Sequence, residues 1–146
     1  MDIHQYKPLL QDKGVLIGRV LLALLFISTG VNMLLGGIGN TAMYFESMGV
    51  PLASLAVIIV IAVKIIAGIS LLIGYKVEEA ALALLVFTAL TILVAHRDTA
   101  DLNFWKNLSI MGGMFYVMAY GAGTGWKYSP KRRNSPEAPP SLDYQA

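Results

Sequence analysis

Residues 15–35 carry only Arg19, Ser28, Thr29 and Asn32 as notable polar groups, and residues 52–73 carry little besides Lys64. A bilayer core about 30 Å thick is crossed by roughly 20 predominantly apolar residues. Inside it, every backbone polar group must be satisfied internally, which leaves helices and closed barrels. These runs are unbroken rather than alternating, so helices are expected. Residues 79–95 form a third run, opened by Glu78 and Glu79, acids suited to a helix N-terminus. Residues 105–121 form a fourth, diluted by Lys106, Asn107 and the Gly112-Gly113 pair. Charged residues make up only 14% of the chain, against roughly a quarter in soluble domains. The expected fold is all-α: an integral membrane four-helix bundle.

The rest of the chain falls around this domain of about residues 15–123. Residues 1–14 form a short N-terminal segment, and residues 124–146 are basic, Pro-rich and too poor in apolar surface to fold alone. The first span is too long for the apolar region of a signal peptide and no small-x-small cleavage site clearly follows it. Pro51 is pre-set for a first helical turn and Gly74 for a stop.

Orientation follows from basic residues near the span ends. The two termini and the turn between the second and third spans hold Lys7, Lys13, Arg19, Lys76, Lys127, Lys131, Arg132 and Arg133. The two opposite loops hold Arg97 and Lys106. Both termini are therefore expected in the cytoplasm. Trp126, Tyr128 and Tyr75 would then lie at the inner boundary, and Trp105, Tyr44 and Phe45 at the outer one. The first outer loop, "GGIGNTAMYFESMGVP", includes an amphipathic stretch suited to the interface.

Lys64 is the anomaly. At 1.5 Å per residue it lies about 13–14 Å from the nearer end of its helix, further than a lysine comfortably snorkels. A central lysine costs about 2.5–3.5 kcal/mol on insertion scales. Every acid in the chain lies outside the hydrocarbon or at its edge, and near the depth of Lys64 the other spans offer only Ser28, Thr29, Thr88, Thr91 and Tyr116. These groups can hydrogen-bond an amine without neutralising it. Two routes remain open: a neutral amine, or a carboxylate, lipid phosphate or quinone carbonyl supplied from elsewhere. Ala67 and Gly68, one turn along, leave room for a close neighbour. With Glu46 of the outer loop they outline an expected partner interface.

Other candidates weigh less. His96, in "AHRDTADLN", is suited to proton transfer or to a quinone carbonyl, though a solvated loop is the plainer reading. Arg19 is shallow enough to anchor at the headgroups and is a second candidate contact for a quinone or lipid. The H-x-D-x-x-D spacing does not gather three ligands on one helical face, and the chain has no cysteine, so no metal site is expected. Met111, Met114 and Met118 read as packing, and Gly14-x-x-x-Gly18 as a close-approach pair. The "KRR" of the tail suits anionic lipid rather than nucleic acid.

From about Gly18 to Gly123 the chain resembles the DoxX family of small bacterial four-helix membrane proteins. The matching stretches are "GRVLLALLFISTG", "FESMGVP", "AGISLLIG" and "AHRDTADLNFWKNLSIMGG". The resemblance implies a multi-pass protein of the bacterial cytoplasmic (inner) membrane, linked to redox systems and quinone-dependent oxidation. The family pattern favours an acid where Lys64 stands, which makes the lysine a departure. Three functions follow, in order. The first is a non-catalytic accessory subunit of a membrane redox complex, with other subunits or copies of itself as partners. The second is a stand-alone quinone-linked oxidoreductase using His96, Arg19 and Lys64, although no flavin, haem or iron–sulfur ligand set is visible. The third is a small transporter, for which broken helices and inverted repeats are missing. No intrinsic cofactor and no catalytic residue are assigned; a quinone or a bound lipid is the expected ligand.

Overall fold

The computed structural model describes residues 3–9, 13–123 and 127–128, and they are all helical or connecting turns. A 3-10 turn at Ile3–Tyr6 leads into the short α1 (Lys7–Leu9). Long helices follow as α2 (Val15–Leu35), α4 (Ala53–Ile73), α5 (Val77–Ala95) and α6 (Leu102–Tyr120), with the shorter α3 (Ile38–Ser47) between the first two. By length and composition α2, α4 and α5 can cross a membrane. The 19-residue α6 is not among them, because Asn103, Lys106 and Asn107 lower the hydropathy of its first half. The basic tail and Trp126 lie outside the described residues.

Turn chemistry sets the boundaries. Gly74, at φ 75°, takes the left-handed conformation that ends α4. The Tyr75 amide then donates back to Ser70 O at 2.9 Å. Lys76 (φ 44°) and Leu52 (φ 51°) adopt the same region without glycine's freedom. Leu52 thereby breaks the chain after Pro51, so α4 starts at Ala53 and not at the proline. Asp101 caps α6 by accepting the Asn103 amide at 2.9 Å.

Neighbouring long helices run antiparallel. Gly68 of α4 faces Ala23 and Ile27 of α2, while Gly30 of α2 faces Ile65 and Lys64. A Cβ on Gly68 would stand 2.8 Å from Ile27 Cγ1, and one on Gly30 would stand 3.0 Å from Ile65 Cγ1. These two glycines set how closely α2 and α4 approach. By contrast, nothing lies within 4 Å of a Cβ placed on Gly14 or Gly18, so that pair brings no helix close.

The start of α2 and the end of α6 share one end of the bundle, here termed proximal; α3 lies toward the other, distal end. The proximal core joins Ala23, Phe26, Leu71, Ala81, Leu84 and Met114. A separate distal cluster joins Ala42 of α3 to Ala53, Val57 and Ile61 of α4. The apolar side of α3 is thus spent on the chain itself, and it covers α4.

Candidate functional site

At the proximal end Arg19 is fully buried, and its Nη1 donates to the Ala122 carbonyl at 2.6 Å. A bond spanning that much sequence ties the start of α2 to the end of α6. Glu78 lies beside them against Gly121, whose added Cβ would meet Glu78 Oε1 at 2.8 Å. Tyr128 closes the same end, its amide donating to Ile73 O at 2.9 Å and its ring standing edge-on to Tyr75. Arg19 is therefore a clamp between helix ends as well as a basic group near a boundary.

Lys64 is placed differently. Its root is pressed against α2, where its Cβ lies 3.1 Å from the position of a Gly30 Cβ. The amine reaches across toward α5. Nζ lies 5.2 Å above the centroid of the Phe87 ring and 3.5 Å from Met33 Sδ. Both contacts favour an ammonium weakly: an aromatic face supplies a partial negative charge, and a thioether sulfur is a weak acceptor. Neither is a counter-ion. Among the described residues no carboxylate pairs with Lys64.

The amine borders two cavities. The larger, about 420 Å³, is mostly apolar and lies between α3, α4 and α5, where Tyr44, Phe45, Val60 and Leu90 help to line it. The smaller, about 190 Å³, lies among α2, α5 and α6 and is lined in part by Thr29, Thr88, Lys106 and Asn107. Lys64, Phe87, Thr91 and His96 line both. The hydroxyls nearby are committed as donors to their own helices, Thr29 to Phe26 O, Thr88 to Leu84 O and Thr91 to Phe87 O. Their oxygens offer lone pairs to the chamber and no charge.

His96 belongs to this site. It is half-buried, and Nδ1 lies 2.6 Å from Asp101 Oδ2. The other carboxylate oxygen of Asp101 takes the Asn103 amide and side chain at 2.9 and 3.0 Å. The Asn103 backbone N–H foremost, and then His96, hold the Asp101 carboxyl below the usual carboxylate range. Lys106 donates to Asn103 Oδ1 at 2.6 Å. The chain turning from α5 into α6 thus carries a connected polar network to the cavity mouth. Among the described residues no three His, Cys, Asp or Glu side chains converge on one point.

The expected interface residues divide. Ala67 and Gly68 are buried, and α2 fills the room that Gly68 leaves. Gly68 is thus part of a seam within the chain, and Ala67 joins the core cluster, so their small size serves the packing of the bundle itself. Glu46 is exposed near the end of α3. Tyr116 is exposed and stacks on Tyr120, with ring centroids 6.4 Å apart, on the outer surface of α6. Met114 is fully buried and Met118 packs against the core, as packing residues do. Sequence reasoning missed Lys106 and Phe87. The signal for Phe87 was available in its position near the middle of the third span, at the depth of Lys64.

An all-helical chain with three apolar helices long enough to cross a bilayer, and a lysine-bearing pocket among them, is a multi-pass membrane protein. The chain belongs to the DoxX family, whose model matches residues 14–97. It is similar to "Inner membrane protein YqjF" of Escherichia coli (strain K12), 36% identical over 78% of this chain and 88% of that protein. It is likewise similar to "Inner membrane protein YphA" of the same organism, 31% identical over 84% of this chain and 90% of the relative. No solved structure matches it. The protein resides in the bacterial inner membrane.

Proposed function

We propose that the protein is a non-catalytic binding subunit of a membrane redox assembly, retaining a membrane-dissolved ligand in its distal cavity. The observation that carries this reading is the Lys64 amine. It is a cation deep in its helix, turned inward onto a mostly apolar cavity of about 420 Å³, with a ring and a thioether as its partners among the described residues. Cavities of that size, apolar with a few convergent polar groups, are the usual form of small-ligand sites. The redox setting comes from the family resemblance. In this reading α6 is the fourth span, both termini are cytoplasmic, and the cavity sits in the outer half of the bilayer.

The ligand class is a quinone or a single lipid. His96 on the same cavity favours this, since it and Lys64 present two polar groups to one apolar space. The assembly reading is tested separately from the ligand. In mild detergent the chain should migrate with other subunits, and migration as a lone small protein would count against it. For the ligand, organic extraction of protein purified in nanodiscs should yield about one quinone or lipid per chain above a Lys64→Met control. Equal yields from both proteins would refute the binding role.

A further inference from the structure

We propose that the smaller chamber is a carboxylate site, so that the ligand of the distal cavity is a single-chain acid with its head between Lys64 and Lys106. This rests on the reading that the larger cavity holds a membrane-dissolved molecule, and it adds the chemistry of the head. The chamber of about 190 Å³ is faced by two lysines from different helices, Lys64 of α4 and Lys106 of α6. The acid of the adjoining network, Asp101, is already engaged through both oxygens, by His96 on one and by Asn103 on the other. Asp101 is thus turned to His96 and Asn103 and pairs with neither lysine. Two lysines, one of them donating to Asn103 Oδ1 as well, therefore border a void in which no carboxylate of the described residues pairs with either.

Size and polarity select the occupant. The chamber admits a small head, and the neighbouring cavity, more than twice as large and mostly apolar, admits a hydrocarbon chain. Because Lys64, Phe87, Thr91 and His96 line both, head and chain meet at these four side chains. A quinone carbonyl would accept a hydrogen bond from Lys64 and leave both charges uncompensated. A carboxylate would accept from both lysines, in charge-assisted bonds roughly twice as strong as neutral ones. It would also accept from the Asn107 side-chain amide, a buried group on the chamber wall. A long-chain fatty acid has this head and tail.

The test uses the full chain in nanodiscs of zwitterionic lipid, with equilibrium binding of labelled palmitate, its methyl ester and a decyl-tailed benzoquinone. Palmitate should saturate at about one per chain, with the ester weaker by on the order of tenfold. Lys106→Met should reduce palmitate affinity to that of the ester, and Lys106→Arg should restore most of it. Val60→Phe, which fills the larger cavity from its wall, should remove all three ligands while the protein still elutes as one folded species. If acid and ester bind equally, or if Lys106→Met leaves the acid preference intact, the carboxylate site is wrong. The cavity reading survives that result as long as Val60→Phe abolishes binding. If none of the three probes binds wild type better than Val60→Phe, both readings fail together.

Discussion

Two levels of this bundle treat an enclosed cation in opposite ways. At the proximal end Arg19 is wholly enclosed and reaches the carbonyl of Ala122, tying α2 to the end of α6. In the middle of the bundle Lys64 is only half-buried, lies on a ring and a sulfur, and opens onto two cavities. The first arrangement spends a charge on holding the fold. The second leaves a charge available inside an apolar space. In the proposed reading, stability and binding are thus assigned to different levels of one small protein.

The sharpest way to break this contrast is to neutralise each cation in turn. Arg19→Met removes a buried donor and leaves the Ala122 carbonyl without it, so a loss of about 1–3 kcal/mol is expected. Lys64→Met removes an ammonium that costs about 2.5–3.5 kcal/mol to insert, so stability should hold or rise. Thermal unfolding in the same detergent measures both, and equal losses would erase the distinction. Next in size is the seam between the two ends. Gly68→Ala drives a methyl toward Ile27 Cγ1, at 2.8 Å. Overpacking of this kind typically costs about 1–3 kcal/mol. No loss in melting temperature would mean that α2 and α4 are not held at this distance.

A smaller effect is expected at the start of α6. Because the Asp101 carboxyl is held below its ordinary range in the folded protein, its contribution is complete above the ordinary carboxylate pKa. It is lost as pH falls through the lowered value. The protection factor of the Asn103 amide, taken relative to the intrinsic exchange rate at each pH, should therefore fall on acidification in wild type and lose that pH response in Asp101→Ala. The smallest effect is that of Lys106→Met, an exposed position, where stability should change by no more than about 0.5 kcal/mol. A large loss there would move Lys106 from the binding end of the comparison to the structural one.

The long helices were legible because unbroken apolar runs of this length leave a coarse mark. The expected ranges 52–73, 79–95 and 105–121 correspond to α4, α5 and α6 with boundary shifts of at most three residues. The inward turn of Lys64 was not legible. Helical periodicity tells which residues share a face with Lys64, and it is silent on what that face meets. For the same reason Gly68 suggested a partner, although α2 of the same chain fills its space. The pairing of His96 with Asp101 escaped because five residues do not share a helical face. It forms where the helix stops: His96, at φ −133°, leaves α5, and the turn through residues 97–101 brings the carboxylate back. Charge, unlike packing, was legible as a deficit, since a list of acids already shows that none lies at the depth of Lys64.

Gly30 gives the lysine one more property. Its missing side chain lets α2 close against the Cβ of Lys64, while the amine end borders open cavities. The side chain is thus anchored at its base and already aimed across the bundle before any guest arrives. Much of the rotational freedom that a surface lysine would surrender on complexation is gone beforehand, and such preorganisation strengthens association without adding a contact. A methyl group on Gly30 would shift that aim, so in the proposed reading a residue that touches no ligand would tune the grip of one that does.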